Sequence, residues 1–390
     1  MATPALASAV LPPLALYIHL PWCVRKCPYC DFNSHAHPAP PLERYIQHLL
    51  ADLDVELQQP VITSRQLISI FIGGGTPSLC AGATMQTLLD GIRARMTLVP
   101  EVEITLEANP GAADARRFAA YRAAGVNRLS IGVQSLSAPQ LRRLGRIHDP
   151  AQARAAVAAA RSAGFDNLNL DLMFALPEQT LAEAAADIEA VLALETEHVS
   201  YYQLTLEPDT AFATRPPLLP DADVAAEMAQ HGRELLALAG LAQYEVSAFA
   251  RPQRQCRHNC NYWRFGDYLG LGAGAHGKVT EITASGWRSW RTLKQPLPEA
   301  YLAAAPPALT VSRSALSADE CRCEFALNAL RLTDGFDAAL FAQTTGLPLA
   351  LLTATVTEAV RDGLLTWHDN WIAPTAHGRD FLDDLVCRFA

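Results

Sequence analysis

Basic residues are few in this chain. Its 390 residues hold 31 Lys and Arg against 40 Asp and Glu, a net charge of -9, and only 18% of positions are charged. That deficit argues against a general nucleic-acid binder, which needs a basic face to neutralise phosphates. An unbroken apolar run of about 20 residues, the length a membrane helix requires, is also missing. Residues 2–20 are interrupted by proline, and the alanine-rich stretch 151–164 is amphipathic. No Lys or Arg precedes Arg25, and the apolar start runs into cysteines rather than a small-residue cleavage site, so no secretory signal peptide is expected. The chain lacks an internal repeat, a low-complexity tract and an even cysteine count. Nine cysteines in a long chain without a signal read as reduced thiols, hence a cytoplasmic protein.

Half of the residues are hydrophobic, enough for a sizeable core, and the length suits two or three domains or one large α/β domain with an appendage. Short β-branched runs recur at Ala15 to Leu20, Leu67 to Ile72, Val102 to Leu106, Arg128 to Gly132, Asn167 to Met173 and His198 to Leu204. Helical segments alternate with them. In residues 42–57, for instance, Leu42, Ile46, Leu49, Leu53 and Leu57 line one face. Six βα units predict a parallel sheet with its ligands at the carboxyl ends of the strands. After Thr205 the pattern changes to a proline-rich stretch, a helix over 221–239, and an irregular segment over 253–277 dense in Cys, His, aromatic and Gly residues. Pro296 to Pro307 reads as a linker. Helices over 321–332, 336–344 and 349–362, followed by a hairpin over 364–372 turning at Asp369-Asn370, resemble a winged helix. From Tyr301 onward there are 6 Arg, no Lys and 11 acids, which speaks against DNA binding.

The cysteines are unevenly spread. Tyr17-Ile-His-Leu-Pro-Trp-Cys23-Val-Arg-Lys-Cys27-Pro-Tyr-Cys30 places three thiols on one loop just after a strand, with C-x3-C-x2-C spacing. Thiolate ligation selects zinc or iron-sulfur. A structural zinc wants a fourth protein ligand, for which His19, His35 and His37 are nearest. The other reading is a [4Fe-4S] cluster with one open iron. The turn Gly73-Gly74-Gly75-Thr76-Pro77, after the next strand, is bare enough for backbone N–H groups to approach a ligand. By itself it is equally a tight strand-to-helix turn. The two features together resemble the radical S-adenosylmethionine (SAM) superfamily, in which SAM chelates the open iron.

Further segments carry a more specific resemblance: Leu106-Glu107-Ala-Asn-Pro110, Ser130-Ile-Gly-Val-Gln-Ser135, Leu144-Gly-Arg-Ile-His148 and Asn169-Leu-Asp-Leu-Met173. With the motifs above they look like the HemN/HemW group over nearly the whole chain. The resemblance implies a partial (β/α)6 TIM-like barrel with a small winged-helix-like α+β domain, Cys23, Cys27 and Cys30 as cluster ligands, and SAM contacts at Tyr17, Tyr29, Gly74, Gly75, Thr76, Glu107, Gln134, Arg146 and Asp171. Chemically, Glu107 and Asp171 can accept from ribose hydroxyls or an amine, and Arg146 can pair with a carboxylate. It also implies a division into residues 1–220, the partial barrel; 221–300, a barrel-completing segment; and 301–390, the C-terminal domain.

Within the group, the coproporphyrinogen III dehydrogenases carry a further cysteine where this chain has Phe32, and a longer arm than the sixteen residues ahead of Tyr17. His258-Asn-Cys-Asn-Tyr262-Trp263 matches the HNxxYW motif of the HemW type. HemW-type proteins are regarded as haem chaperones serving respiratory proteins, so haem, acceptor haem proteins and peripheral membrane association are implied, with the dehydrogenase and a zinc-bound scaffold as alternatives. His258, Tyr262 and Trp263 are haem-lining candidates by this resemblance, although a lone histidine is more often a core residue. Cys256 and Cys260, four apart, read either as a second metal site or as buried small residues. The glycine-rich residues 269–277 lack the strand-first spacing of a dinucleotide fingerprint. One departure stands out: the group has Gly-Leu-Pro-Gly-Gln-Thr where this chain reads Ala175-Leu-Pro-Glu178-Gln-Thr180.

Overall fold

A computed structural model describes residues 10–112, 115–284 and 286–390; the first part of the apolar N-terminal stretch, residues 1–9, lies outside them. The six expected strands all form: β1 (Leu14–Leu20), β2 (Leu67–Gly74), β3 (Leu98–Ala108), β4 (Arg128–Gln134), β5 (Leu168–Phe174) and β6 (His198–Gln203). They pair in parallel and in chain order. Their burial is nearly continuous, as strands covered on both faces require. Residues from the loop after β1 and from the end of β6 line one cavity, so the sheet curls. The crossover helices bury one face each; in Leu42–Glu56 that face is Tyr45, Ile46, Leu49 and Leu53. Two later crossovers start with reciprocal capping boxes, at Asp149 with Gln152 and at Thr180 with Glu183.

The sheet continues on both sides. The hairpin β7 (Ala242–Glu245) and β8 (Ala248–Ala250) adds antiparallel to β6. On the other side β9 (Asp267–Leu271) lies parallel to β1 and is followed by β10 (His276–Thr283), β11 (Gly286–Lys294) and β12 (Thr310–Ala315). The twelve strands run β12-β11-β10-β9-β1-β2-β3-β4-β5-β6-β8-β7.

Two expectations therefore change. Residues 253–277 are not irregular, because they contain the helix Arg257–Trp263 as well as β9. The glycines that hid β9 are what let it form: a Cβ on Gly270 would sit 2.0 Å from the His276 carbonyl oxygen. Residues 296–307 are not a linker. The helix Pro298–Ala303 buries Tyr301, whose hydroxyl donates to Asp52 Oδ2 at 2.7 Å. Lys294 Nζ meets Asp52 and Glu56 at 2.6 Å each, tying β11 to the helix over 42–56. The sheet thus passes the expected boundary at residue 300.

Beyond β12 the chain forms a second core around Phe325, Phe341, Leu352, Val356 and Ile372. Helices Ala318–Ala329, Ala339–Thr345 and Ala350–Arg361 pack with a small sheet of β13 (Phe336–Asp337), β14 (Leu365–His368) and β15 (Trp371–Pro374). The hairpin turns at Asp369, with φ of 53°, as expected for Asp369-Asn370. The middle helix starts later than expected because Phe336 and Asp337 pair with Ile372 and Trp371.

Candidate functional site

At the carboxyl ends of β1 to β6 lies a cavity of about 370 Å³. Its wall includes Cys23, Cys27, Tyr29, Cys30, Gly74, Gly75, Thr76, Glu107, Gln134, Arg146 and Asp171. Eleven of the twelve residues assigned to cluster and SAM are thus brought together. The cysteine loop is closed by a two-rung ladder of Trp22–Cys23 with His35–Ala36 and pinned inside by a hydrogen bond from Cys30 N–H to Cys27 O at 3.2 Å. Cys23 is buried, and burial pushes its thiol up, as it does that of Cys30.

The glycine turn approaches this loop closely. Gly75 N–H donates to the Leu20 carbonyl at 2.8 Å, and a Cβ on Gly75 would come within 2.6 Å of the Trp22 carbonyl oxygen. Gly74 has φ of +116°, a conformation that side chains other than glycine's avoid. Its N–H donates to Glu107 Oε2 at 3.0 Å. Burial, with the neighbouring Asp171 charge adding to it, raises the Glu107 carboxyl to about 8. Burial raises Asp171 too, opposed by the Asn169 amide and by Arg128. Arg146 spans the mouth, its Nη1 3.6 Å from Cys27 Sγ and 3.5 Å from the Tyr29 hydroxyl, its Nη2 2.7 Å from Gly132 O. Its buried Nε has no partner.

Tyr17 is the exception. It lies beneath the glycine turn, its hydroxyl 2.9 Å from His19 Nδ1, its ring stacked on Phe71 and tilted against His258. Sequence reading missed Tyr202, Ser130, Asn109 and Arg25, which also line the cavity. Tyr202 donates to Gln134 Oε1 at 2.8 Å and steadies a residue held at φ of 68°. Its position two residues after Ser200 on a strand end was the available signal.

The HNxxYW segment is elsewhere. Helix Arg257–Trp263 closes the opposite, amino-terminal end of the strands, where the Glu103 carboxylate accepts from the N–H groups of Arg257 and His258 at 3.2 Å each. His258 is 1% exposed, with Nδ1 3.0 Å from Ser69 Oγ and Nε2 2.8 Å from the Tyr262 hydroxyl. Both ring nitrogens are engaged, and burial, then the Arg128 charge, lowers its pKa to about 3. Trp263 lies under the Arg331 guanidinium at 4.3 Å, at the join with the C-terminal domain. None of the three lines the cavity. Cys256 and Cys260 are buried, with burial raising their thiols to about 12 and about 11. Cys256 Sγ donates to Glu103 Oε1 at 3.6 Å, and among the described residues no three His, Cys, Asp or Glu side chains gather around the pair.

The cavity suits a thiolate-held cluster and SAM: three soft donors on one loop, a bare backbone edge, an unpartnered guanidinium nitrogen and paired carboxylates. Among the described residues no three His, Cys, Asp or Glu groups converge on a single metal ion. A zinc ion would need the sulfurs drawn together to about 2.3 Å from it. Of the candidate fourth ligands, His19 has both nitrogens engaged, by the Tyr17 hydroxyl and by Asn33 O at 2.8 Å.

Comparison with known proteins agrees with this geometry. The radical SAM superfamily model matches residues 17–191, and the HemN C-terminal domain model matches residues 316–381. Heme chaperone HemW of Escherichia coli is 48% identical over 96% of this chain and 98% of its own length. Heme chaperone HemW of Mycobacterium tuberculosis is 35% identical over 98% and 96%. The solved structure of coproporphyrinogen III oxidase (HemN) from Escherichia coli, a radical SAM enzyme, superposes with a TM-score of 0.81 at 23% identity, over 97% of this chain and 90% of that one, a likeness of fold.

Proposed function

The chain belongs to the HemW family of the radical SAM superfamily, and on that premise we propose that it is a cytoplasmic haem chaperone that passes haem to respiratory haem proteins at the membrane. The observation that carries the reading is near-full-length identity to proteins named heme chaperone HemW. No helix among the described residues is long and apolar enough to cross a membrane, so the proposed membrane association is peripheral.

In this reading Cys23, Cys27 and Cys30 hold the [4Fe-4S] cluster. Bound cluster and SAM together supply one-electron chemistry. Gly74 and Gly75, whose N–H groups are engaged by Glu107 and by the Leu20 carbonyl, offer a bare carbonyl edge to the SAM amine, Arg146 faces the carboxylate, and Glu107 and Asp171 accept from the ribose or amine. Tyr29, Thr76 and Gln134 shape the wall around them, while Tyr17 acts only from beneath, through His19.

Haem is proposed to dock on the rim rather than at His258. Phe32 lines the cavity yet is 57% exposed. Val24 and Ile147, also exposed, flank a cleft that shares Cys27 and Arg146 with the cavity. An apolar rim beside Arg25 and Lys26 fits a flat macrocycle with propionates.

The test is anaerobic reconstitution with iron and sulfide, then haem titration by absorbance with a coproporphyrinogen assay in parallel. Stable haem binding and transfer to an apo-acceptor without turnover supports the chaperone. Conversion to protoporphyrinogen establishes the dehydrogenase instead, and a colourless protein retaining stoichiometric zinc overturns both.

A further inference from the structure

A line of hydrogen bonds joins the floor helix to the cavity. Cys256 N–H, at the start of that helix, lies 3.2 Å from the Tyr244 hydroxyl, which is 2.9 Å from His198 Nε2. His198 Nδ1 is 2.6 Å from Asn169 Oδ1, and Asn169 Nδ2 donates to Asp171 Oδ1 at 2.7 Å and to Ser130 Oγ at 2.8 Å. His198, Asn169 and Tyr244 are all buried.

The proton positions follow from the ends of the line. The Cys256 amide can only donate. The Asp171 carboxylate can only accept, so Asn169 turns its NH₂ toward it and its carbonyl toward His198. His198 must then carry its proton on Nδ1 and accept at Nε2 from the Tyr244 O–H. Burial, then the Arg128 charge, drives the His198 pKa well below its usual value, so the ring is neutral as this pattern requires. Every bond points its donor toward Asp171, and aligned bonds of this kind strengthen one another in a low-dielectric interior.

We infer that Tyr244, His198 and Asn169 are positioning residues that hold the Asp171 carboxylate ionised and aimed into the cavity, so that the floor helix sets how strongly the far end of the barrel holds SAM. The inference rests on the reading that SAM occupies this cavity. It assigns the floor motif a part in cofactor binding without contact.

The groups facing Asp171 are Glu107 on β3, Arg128 and Ser130 on β4, Ser200 and Tyr202 on β6, and Asn169 on its own strand. Burial and the Asp171 charge raise Glu107 to about 8, so Glu107 carries a proton near pH 7, while Asn169, Arg128, Ser200 and Ser130 oppose the rise that burial imposes on Asp171. Weakening the line removes stabilisation from the ionised form of Asp171. Its pKa then rises, and the acid limb of SAM affinity moves to higher pH.

The experiment is calorimetric SAM titration of the full-length, anaerobically reconstituted protein across pH 5.5 to 8.5, for wild type, Tyr244→Phe and Tyr262→Phe. Tyr244→Phe breaks the line beyond Asn169 and touches nothing in the cavity. It is expected to shift the acid limb upward by about half a unit, about 3-fold weaker binding on the limb and unchanged affinity at its high-pH plateau. Tyr262→Phe removes only the His258 bond and is expected to leave the profile in place. An unshifted Tyr244→Phe profile, or equal weakening at every pH, overturns the inference. A second readout needs no variant: the ¹⁵N shifts of His198 in the wild type should report a neutral ring protonated at Nδ1. The Nε2–H tautomer would overturn the line by itself. If wild type binds no SAM, the cofactor reading fails, and the tautomer alone then decides whether the line exists.

Discussion

Two segments of this chain carry cysteines and histidine at suggestive spacing, and the fold treats them in opposite ways. Cys23, Cys27 and Cys30 stand on a loop at the carboxyl ends of the strands and face a cavity. Cys256, His258 and Cys260 sit on a helix pressed into the other end, where thiols and ring are buried and the ring nitrogens are both engaged. Spacing alone does not separate a ligand from a core residue. What separates them is whether the donor atoms face a space large enough for a ligand. A parallel α/β sheet decides this by polarity: its loops after the strands are free to carry chemistry, whereas the opposite end must be sealed.

The sharpest way to break that contrast is by substitution of thiols at both ends. Replacing Cys23, Cys27 and Cys30 with Ala should abolish the visible absorbance of reconstituted cluster. Cys256→Ala with Cys260→Ala should leave it intact at a cost in stability of about 1 kcal/mol per site. Retained cluster in the first variant, or loss in the second from protein that is still folded, would reverse the assignment.

His258→Ala comes next. It deletes a buried ring and strands the Ser69 and Tyr262 hydroxyls, so denaturant unfolding of the cluster-free protein should show a loss of about 3 kcal/mol. A loss below about 1 kcal/mol would mean that the floor helix does not depend on this ring.

Glu107 gives a pH-dependent case. Its folded pKa of about 8 lies above the ordinary carboxyl value of 4.5, so between those values the folded state binds more protons than the unfolded state, and stability falls as pH rises. Glu107→Gln removes the titrating group. Its thermal midpoint, measured on cluster-free protein, should exceed that of wild type by several degrees at pH 8 and match it near pH 4.5. Equal midpoints at pH 8 would mean that the carboxyl is not strained by burial.

The smallest effect is expected at Ala175. Ala175 and Glu178 adopt φ of 54° and 55°, so the loop runs with two side chains in left-handed conformations. Ala175→Gly should relieve that strain and stabilise by up to about 1 kcal/mol in denaturant unfolding. A loss of stability would show that the methyl packs well enough to outweigh it.

Much of this architecture was legible in the residues themselves. The six strands announced themselves because buried parallel strands are almost wholly apolar, and the cluster loop because three thiols so close together have few other uses. Strand β9 and the helix over 257–263 were hidden, since their structure comes from close backbone approach at Gly270 and from the Glu103 carboxylate, which is distant in sequence. The packing of Tyr301 against Tyr45 and Asp52 hid a helix inside an apparent linker for the same reason. The floor position of HNxxYW could not be read from its letters either, because a histidine that fills a core and one that binds iron look alike until partners are known.

Haem titration of two reconstituted variants, followed by absorbance, tests the division between the two ends most directly. His258→Gln should bind haem as wild type does, because the ring lies sealed at the floor, whereas Phe32→Ser should bind it several-fold more weakly, because the apolar rim is broken. Loss of binding in His258→Gln with full binding in Phe32→Ser would place haem at the floor and contradict the reading.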